Sequence, residues 1–519
     1  MALPALFSGN RRADAVLLPL FGIGQAAALG VSAFATRAAF EALHTGARPA
    51  WATLATLVSA GIAAAGIELF ARRRAEALGQ SYASALRQRL YAHLAGLSRT
   101  ELSGRRLGAL SLRFVGDLSA ARAWFGRGVP DLISAGAVLP GAAAVLWLLD
   151  PALAWAALPA MGLTLALMAT LAAGLSGRHK RLRSSRASVA ISMMERIAIS
   201  PDLDLMNRTD RELDRLETAG AALRRRAMDR ATRSGAIRFL PQAGAALAGA
   251  AMFHAAATAG LAPASVAAGL AVLAILTLPL RKLADCADRY WAWRVARGRA
   301  HALLAIPSVP RRILPAGAPV SVTIEGVAVG ESRVDAHVPA GAFARITGPT
   351  GAGKSRLAAM IAGLDRPGTG RLIHGGRSDT LPRIAQIDDR PVVIQGSLRR
   401  ALTMGLHPRP RRRRIEEVAR AFGLGGLIAR IGGIGGRLGE GGRTVSQGEA
   451  LRIALARAAL TAPDLAVIDS DRLHVDPAAG TLISRLRAHT CATIILTDPD
   501  GAGAEEGAIT LPSAAAPAA

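Results

Sequence analysis

Apolar runs and charged stretches alternate along the chain up to about residue 285, where the long apolar runs stop. Spanning the hydrocarbon core of a bilayer takes about 20 apolar residues in a helix. Six runs approach that length, near Ala15–Ala35, Trp51–Phe70, Val129–Leu149, Ala152–Leu171, Phe239–Ala257 and Ala264–Leu280. The pattern predicts an α-helical membrane domain with six spans over residues 1–305, followed by a soluble domain.

The connections between these runs alternate in length, and arginine is concentrated in the long ones. Those after the second and fourth runs are long and carry clusters such as Arg72–Arg74 and Arg224–Arg226, whereas the others are short. Basic residues accumulate on the cytoplasmic side of a membrane, so both termini and both long connections are predicted to be cytoplasmic. Trp51, Trp147 and Trp155 fall at the predicted outer ends, which suits their preference for the interface. We expect a multi-pass protein of the cell's inner (plasma) membrane.

The long connections keep a helical pattern, because apolar residues recur at helical spacing across Arg87–Leu94. Each connection is long enough for two helices of about 40 Å, so the membrane helices are expected to project far into the cytoplasm. The first apolar run exceeds the core of a signal peptide and predicts an uncleaved first membrane helix.

A proline-rich stretch separates the membrane domain from the rest of the chain. It predicts a linker over residues 306–319. Short strand-like and helix-like segments over residues 320–505 then predict an α/β domain. Residues 506–519 are small and polar, and we expect a disordered tail there.

Composition agrees with a membrane half and a soluble half. Hydrophobic residues make up 51% of the chain and the net charge is +26. Nucleic-acid binding is the first alternative for so basic a chain. The sharpest basic run, Arg409–Arg414, has no interleaved aromatic residues, so it predicts a solvated helix and no nucleic-acid partner. Cys286 and Cys491 are both predicted to be free cytoplasmic thiols.

A glycine-rich loop carries the most specific chemical signal. Residues 348–355 fit the pattern GxxxxGK[ST], with Gly348, Gly351 and Gly353 leading to Lys354 and Ser355. The loop follows a strand-like segment and precedes a helix-like one, which is the context that a phosphate-binding loop requires. Glycines let backbone N–H groups face phosphates, the lysine supplies positive charge, and the serine hydroxyl can ligate Mg²⁺. ATP with Mg²⁺ is the expected ligand.

Two further segments fit the same chemistry. The apolar run Leu465–Ile468 ends in Asp469, the pattern in which a buried strand presents a carboxylate to Mg²⁺. Between it and the phosphate loop, Ser446 and Gly448 lie at the start of a helix-like segment. The N–H groups and the hydroxyl of a helix N-terminus suit a γ-phosphate.

Six spans, the phosphate loop, the Ser446–Gly448 signature and Asp469 follow one another in the order seen in half-transporters of ATP-binding-cassette (ABC) exporters, which this chain resembles. The resemblance implies a six-span membrane domain fused to an α/β P-loop ATPase domain with a helical subdomain. It also implies a dimer that holds ATP between the phosphate loop of one subunit and the signature of the other. The expected cargo is small and amphipathic, thiol-containing or lipid-like. The exporter of cysteine and glutathione for cytochrome bd assembly is one relative of this type.

The sequence departs from the family at the positions that activate water. In the family, the Asp that holds Mg²⁺ at the end of the buried strand (the Walker B Asp, here Asp469) is followed by a catalytic Glu, and this chain has Ser470 there. The family also has a histidine, the switch His, after a later strand, and this chain has Asp498 at that position. In the segment that aligns with the Q-loop, Asp389 replaces the Gln that contacts Mg²⁺, although Gln386 lies close enough to leave the alignment open. A serine hydroxyl accepts protons poorly, and an aspartate beside a γ-phosphate repels it. No catalytic residue of the family is therefore intact in this ATP site.

The replaced family residues belong to this chain's own ATP site, whereas the retained signature residues belong to the ATP site of the partner subunit. Residues 327–341 contain no Phe, Tyr or Trp to stack on adenine, whereas Ser446 and Gly448, which would serve the partner's site, are kept. This asymmetry resembles the degenerate subunit of a heterodimeric exporter, whose partner is a second half-transporter that carries out hydrolysis. Two alternatives stay open: a slow homodimeric transporter, and an ATP-binding membrane protein that regulates a partner without moving cargo.

Overall fold

The computed structural model describes residues 3–6, 8, 11–104, 110, 113–197, 199–308, 313, 317–439, 442, 444–498 and 508–511. They form two compact units. The membrane unit comprises residues 1–95 and 105–307, and the ATP-binding unit comprises residues 96–104 and 308–519. The expected linker near residue 306 thus falls at the boundary between the units, although residues 309–312 and 314–316 lie outside the described part of the chain.

Long helices make up the membrane unit. In chain order they are α1 (Arg11–His44), α2 (Trp51–Ala95), α4 (Leu118–Ala123), α5 (Val129–Leu149), α6 (Pro151–Ala173), α7 (Ser176–Ile197), α8 (Ser200–Leu205), α9 (Thr209–Ala259) and α10 (Pro263–Leu304), while α3 (Arg99–Ser103) belongs to the other unit. Two π-helical turns, Arg113–Asp117 and Trp124–Gly128, flank α4. Six of these helical stretches are long and apolar enough to span a membrane, which confirms the predicted number of spans.

Several helices are much longer than a bilayer is thick. The helix α2 has 45 residues and α9 has 51. At 1.5 Å per residue they extend over about 68 Å and 76 Å, against a hydrocarbon core of about 30 Å. The prediction that helices continue well beyond the apolar runs is confirmed. The helix α10 also continues through Pro279 to Leu304, well beyond the sixth apolar run, Ala264–Leu280.

Small residues let the membrane helices approach closely. A Cβ atom at Gly79 would lie 2.6 Å from the Cα atom of Gly126, so only glycine permits this contact between α2 and the second π-helical turn. On α10, a Cβ atom at Gly269 would lie 2.3 Å from the terminal methyl carbon of Met252 on α9. Lipid tails are as apolar as the helix surfaces, so the hydrophobic effect does not drive helices together in a membrane. Close van der Waals contacts of this kind hold them together instead.

The ATP-binding unit combines strands with short helices. Its strands are β1 (Val322–Val329), β2 (Ser332–Val338), β3 (Phe343–Thr347), β4 (Arg371–His374), β5 (Ile384–Asp388), β6 (Gly396–Ser397), β7 (Arg437–Leu438), β8 (Leu465–Asp469), β9 (Thr493–Thr497) and β10 (Ile509–Thr510). Its helices after α3 are α11 (Lys354–Ile361), α12 (Leu398–Leu402), α13 (Arg412–Ala421), α14 (Gly425–Arg430), α15 (Gln447–Thr461), α16 (Asp471–Val475) and α17 (Ala479–His489). The predicted fold class, a P-loop ATPase domain with a helical subdomain, is confirmed.

A parallel sheet positions the chemistry. Its strand order is β10-β3-β9-β8-β5, and every described pair in it is parallel. The carboxyl ends of parallel strands meet at one edge of a sheet, where ligands of α/β proteins bind. The phosphate loop after β3, Asp469 at the end of β8, Asp389 after β5 and Asp498 after β9 therefore converge on that edge.

The C-terminal segment differs from the expected disordered tail. Ile509 and Thr510 pair with Ile346 and Thr347 of β3, and the Leu511 N–H donates to the Thr347 carbonyl over 2.8 Å. The prediction of a disordered tail from residue 506 is therefore wrong for residues 508–511, because two residues complete the edge of the sheet. Residues 499–507 and 512–519 lie outside the described part of the chain.

Candidate nucleotide-binding site

The phosphate loop connects β3 to the first turn of α11. Its glycines adopt backbone conformations that side chains disfavour, with φ of 144° at Gly348, 87° at Gly351 and 94° at Gly353. A Cβ atom at Gly353 would lie 2.4 Å from a methyl carbon of Val329. At Gly351 a Cβ atom would meet nothing within 4 Å, so the loop leaves open space on that side.

The residues after the loop suit a bound triphosphate. The Lys354 side chain lies against the phosphate loop, and its ammonium group donates to the carbonyls of Gly348 and Pro349 over 2.6 Å and 3.1 Å. The charge therefore lies over the same backbone that would cradle phosphates, at the N-terminus of α11, where the helix dipole favours anions. The glycine conformations, the open space and the lysine fit ATP, which would bring the phosphoanhydride bond to this edge of the sheet.

Ser355 and Asp469 form the candidate magnesium pair. The Ser355 hydroxyl donates to Asp469 Oδ1 over 3.0 Å, which brings together two oxygens of the kind that Mg²⁺ prefers. Burial raises the pKa of Asp469 above its usual 3.8, and the hydroxyl of Ser355 opposes that rise. A divalent cation would favour the ionised carboxylate at this position. The two predicted metal ligands thus lie side by side.

Two of the residues that depart from the family bind each other. The Ser470 hydroxyl donates to Asp389 Oδ1 over 2.7 Å, and the Arg472 N–H donates to the same oxygen over 3.2 Å. Ser470 is 1% exposed, and its oxygen also accepts from the Leu473 N–H at the start of α16. The serine is therefore a buried helix cap, and the aspartate is held by it.

The structure separates the two candidates for the Q-loop position. Asp389 lines a cavity of about 640 Å³ together with Ser355 and Asp469. Gln386 lies within β5 opposite Val467 and lines a different cavity of about 430 Å³. Of these two side chains, only that of Asp389 is placed to act with Ser355.

Asp498 is also engaged by the protein. Its carboxylate lies 3.3 Å from a guanidinium nitrogen of Arg345 on the neighbouring strand β3, and its backbone N–H donates to the Ile346 carbonyl over 2.8 Å. The sequence analysis missed His474, whose Nε2 lies 2.6 Å from the carbonyl of Thr497, the residue before Asp498. No sequence pattern distinguished this histidine, because it comes close to Asp498 only through the packing of α16 against the end of β9.

The signature residues begin α15 and face solvent. Ser446 Oγ accepts from the Glu449 N–H over 3.1 Å, and Glu449 Oε2 accepts from the Ser446 N–H over 2.8 Å, which is a capping box. This arrangement uses a lone pair of the hydroxyl and leaves its hydrogen available. Gly448 is exposed, with nothing within 4 Å of a Cβ atom built there. The structure does not bring the signature to the phosphate loop of the same chain in any described contact.

Glu449 also binds a cation. Its carboxylate lies 2.9 Å from Arg430 on α14, and the hydrogen bond from that guanidinium lowers the pKa of Glu449 below its usual 4.5. Glu449 thus adds an ion pair to the cap of α15.

A short helix from the segment between α2 and α4 lies beside the site. The Arg99 guanidinium on α3 donates to Asp388 Oδ2 over 2.9 Å, next to Asp389. Thr100 binds Asp365 twice, through its N–H over 3.0 Å and its hydroxyl over 2.9 Å. The sequence analysis placed this segment in the membrane domain; the structure places it in the ATP-binding unit.

Comparison with known families and solved structures agrees with this architecture. The sequence model of the ABC transporter transmembrane region matches residues 18–274, and that of the ABC transporter ATP-binding domain matches residues 332–470. A bacterial Atm1-family ABC exporter solved with ATP bound has the same fold, with a TM-score of 0.75 over 96% of this chain and 93% of that one, at 20% identity.

Curated relatives are similar over shorter regions. The glutathione/L-cysteine transport system ATP-binding/permease protein CydC of Bacillus subtilis is 31% identical over 30% of this chain and 29% of its own length. The mycobactin import ATP-binding/permease protein IrtB of Mycolicibacterium thermoresistibile is 27% identical over 44% of this chain and 46% of its own length. Across eight such relatives the matched part spans 12% to 51% of their length.

The two family matches follow each other along one polypeptide, and the exporter fold extends over nearly all of it. The chain belongs to the ABC transporters and has the half-transporter arrangement of one membrane domain followed by one ATP-binding domain.

Proposed function

We propose that this chain is the ATP-binding subunit of a heterodimeric ABC exporter in the inner (plasma) membrane, with its ATP-binding domain in the cytoplasm. Its own ATP site binds ATP with Mg²⁺ but hydrolyses it poorly. Its signature completes the working site of a second half-transporter. Membrane lipid surrounds the spans, and nucleic acid is not a partner.

One observation carries the proposal. At the positions that activate water in the family, Ser470 and Asp389 are bonded to each other, and the carboxylate of Asp498 is paired with Arg345. Ser470 is buried as a helix cap, one oxygen of Asp389 is held by Ser470 and Arg472, and Asp498 is paired with Arg345, so the family's general base has no counterpart among these side chains. The exposed hydroxyl of Ser446 is free to donate to a phosphate held by a partner.

The cargo is proposed to be small and amphipathic, thiol-containing or lipid-like. The glutathione/L-cysteine transport named for CydC supports a thiol, and the import named for IrtB indicates that an exporter-like fold alone does not fix direction. Export is proposed here because the fold matches an exporter over most of the chain.

The test is the ATPase activity of the complex formed with a co-expressed half-transporter that retains the catalytic Glu and the switch His. Ser446→Ala removes a hydrogen bond to a charged acceptor, which is worth about 1.5–3 kcal/mol, or roughly 10- to 100-fold in activity. Asp469→Asn damages only the degenerate site and is expected to reduce activity less.

A matched control separates catalysis from stability. Ser397→Ala removes a comparable N-cap, since Ser397 Oγ accepts from the Arg400 N–H at the start of α12. Its ATPase activity is expected to stay near that of the unmodified complex. If Asp469→Asn is as damaging as Ser446→Ala, or if no second half-transporter co-purifies, the slow homodimer replaces this proposal.

A further inference from the structure

A cavity of about 730 Å³ lies within the membrane unit, among the helices that extend beyond the expected spans. It is bounded by Asp117 before α4, by one face of α7, by Arg230 on α9 and by Arg299 on α10. Asp117 precedes Val129, the start of the third apolar run, by about 18 Å of helix, so the cavity lies outside the apolar core of the bilayer. Its volume is in the range of pockets that hold small organic ligands.

The lining face of α7 changes character along its length. Its residues recur at helical spacing, so they share one side of the helix. Its two arginines lie in the first half and its last three residues are small or apolar: Leu182, Arg183, Arg186, Ala187, Ala190 and Ile191. A ligand lying along this face would meet charge at one end and apolar surface at the other.

The two carboxylates nearest the cavity are already satisfied. Asp117 is 4% exposed and accepts a short hydrogen bond from Arg183. Asp288 accepts from His179 over 2.8 Å and from Ser234 over 2.7 Å. Their hydrogen-bond partners are therefore Arg183, His179 and Ser234, and the other cavity arginines interact with them only at longer range.

Three guanidinium groups at the cavity are not hydrogen-bonded to either of these carboxylates. Arg299 lies 3.8 Å from Asp117, and Arg230 lies 3.8 Å from Asp288, both beyond hydrogen-bond distance. Arg186 is exposed, lines the cavity, and forms no ion pair with any residue that the structure describes. Four lining arginines against two satisfied carboxylates leave the cavity with an excess of positive charge.

We propose that this cavity binds a small amphipathic organic anion. Arg186, Arg230 and Arg299 hold its carboxylate, phosphate or sulfonate groups, because planar guanidinium groups bind such oxyanions through paired hydrogen bonds. Ala187, Ala190 and Ile191 contact its apolar part. That this anion is transported rests on the proposed function; that it binds does not.

Binding is tested with the full chain in nanodiscs of zwitterionic lipid, without nucleotide or partner subunit. The probe is naphthalene disulfonate, which combines an apolar ring system with two oxyanions, and the uncharged analogue is naphthalenediol. Calorimetric titration is expected to show saturable binding of the disulfonate that weakens as salt rises, and much weaker binding of the diol.

Two kinds of variant locate the site. Arg186→Gln combined with Arg230→Gln is expected to weaken the disulfonate by about 10-fold or more, since each removes a charge-assisted contact. The matched control is Arg181→Gln, an exposed arginine of the same helix outside the cavity, which should leave binding unchanged. Ala190→Trp fills the cavity without changing charge and is expected to abolish binding.

Nanodiscs that contain phosphatidylglycerol distinguish two sources of the anion. Loss of disulfonate binding there assigns the cavity to an anionic lipid headgroup, and retained binding assigns it to a soluble anion; both outcomes support the proposal. Equal binding by Arg181→Gln, the double variant and Ala190→Trp overturns it, as does tight binding of the diol. Because no ATP hydrolysis is measured, failure here leaves the heterodimer proposal standing, and failure of that proposal leaves this one standing.

Discussion

Two side chains beside the phosphate loop depart from the family together, and each explains the other. An aspartate at position 389 needs a donor, and the buried hydroxyl of Ser470 supplies one over 2.7 Å. A glutamate at position 470 would instead place a second carboxylate against Asp389, where two like charges disfavour each other's ionised form. The pair is therefore stable as Ser and Asp, and restoring one family residue alone breaks it.

Ser470→Glu is accordingly expected to destabilise the chain by about 1–3 kcal/mol, because it adds an unpaired charge at a buried position and removes the cap of α16. Adding Asp389→Gln is expected to recover part of that loss, since an amide can donate to the new carboxylate. Thermal unfolding of the two single variants and the double variant gives the coupling, expected at about 0.5–3 kcal/mol. Simple additivity of the two single effects contradicts the pairing described here.

A second residue-scale prediction concerns Glu449 and pH. Arg430 lowers the pKa of Glu449 in the folded chain below 4.5, so this ion pair stabilises the fold above about pH 4.5 and the contribution is lost as pH falls through the lowered value. Glu449→Gln keeps the capping box and loses the charge. The expected loss at neutral pH is within about 1 kcal/mol, as for other solvent-screened pairs. Melting temperatures of the two proteins should converge towards acid pH, and divergence there would count against this account.

At the scale of elements, apolar runs predicted the spans well and their ends poorly. A run such as Trp51–Phe70 reports which residues must be buried in lipid, but the continuation of α2 to Ala95 depends on packing against neighbouring helices. The strand β10 was missed because two residues carry almost no pattern, and only pairing with β3 makes them a strand. Ser470 and Asp498 were correctly placed after strand ends because their strands, Leu465–Asp469 and Thr493–Thr497, each contain a short apolar run, Leu465–Ile468 and Ile494–Leu496. Their hydrogen-bond partners come from other strands and loops and left no local signal.

The helix α3 gives an element-scale prediction. Asp365 holds it through two hydrogen bonds from Thr100, each to a charged acceptor. Thr100→Val keeps the shape and the backbone bond, and is expected to raise amide hydrogen exchange in residues 96–104 by roughly 10-fold. Asp365→Ala removes both acceptors and should raise it further.

Ser103→Ala is the matched control for α3, because the Ser103 hydroxyl donates to the Thr100 carbonyl of the same helix and, in the described part of the chain, to no residue outside α3. In the Ser103→Ala variant, amide hydrogen exchange in residues 96–104 is expected to match that of the unmodified chain. Unchanged exchange in Asp365→Ala would mean that other contacts hold this segment.

For the whole molecule, the distribution of arginine and the lengths of the helices give one consistent orientation. The short connection between α1 and α2 is expected on one side of the membrane, and the parts of α2 and α7 beyond the apolar runs on the other. Trp147 and Trp155, whose ring centroids are 6.2 Å apart, mark the same side as the short connections. The positive-inside rule predicts that the arginine-rich side faces the cytoplasm.

Single cysteines test this orientation in intact cells. Cys286, which is buried, and Cys491, which is exposed, are first replaced by Ala, and cysteine is then introduced at Thr45, Gln88 or Ser184, which are all exposed. A membrane-impermeant maleimide is expected to label Thr45→Cys from outside, because it lies in the short connection between the first two spans. Gln88→Cys and Ser184→Cys should react only after permeabilisation, because both lie on the helical projections whose flanking arginines favour the cytoplasm. Labelling of either inner site in intact cells, with Thr45→Cys protected, would require the opposite orientation of the membrane helices.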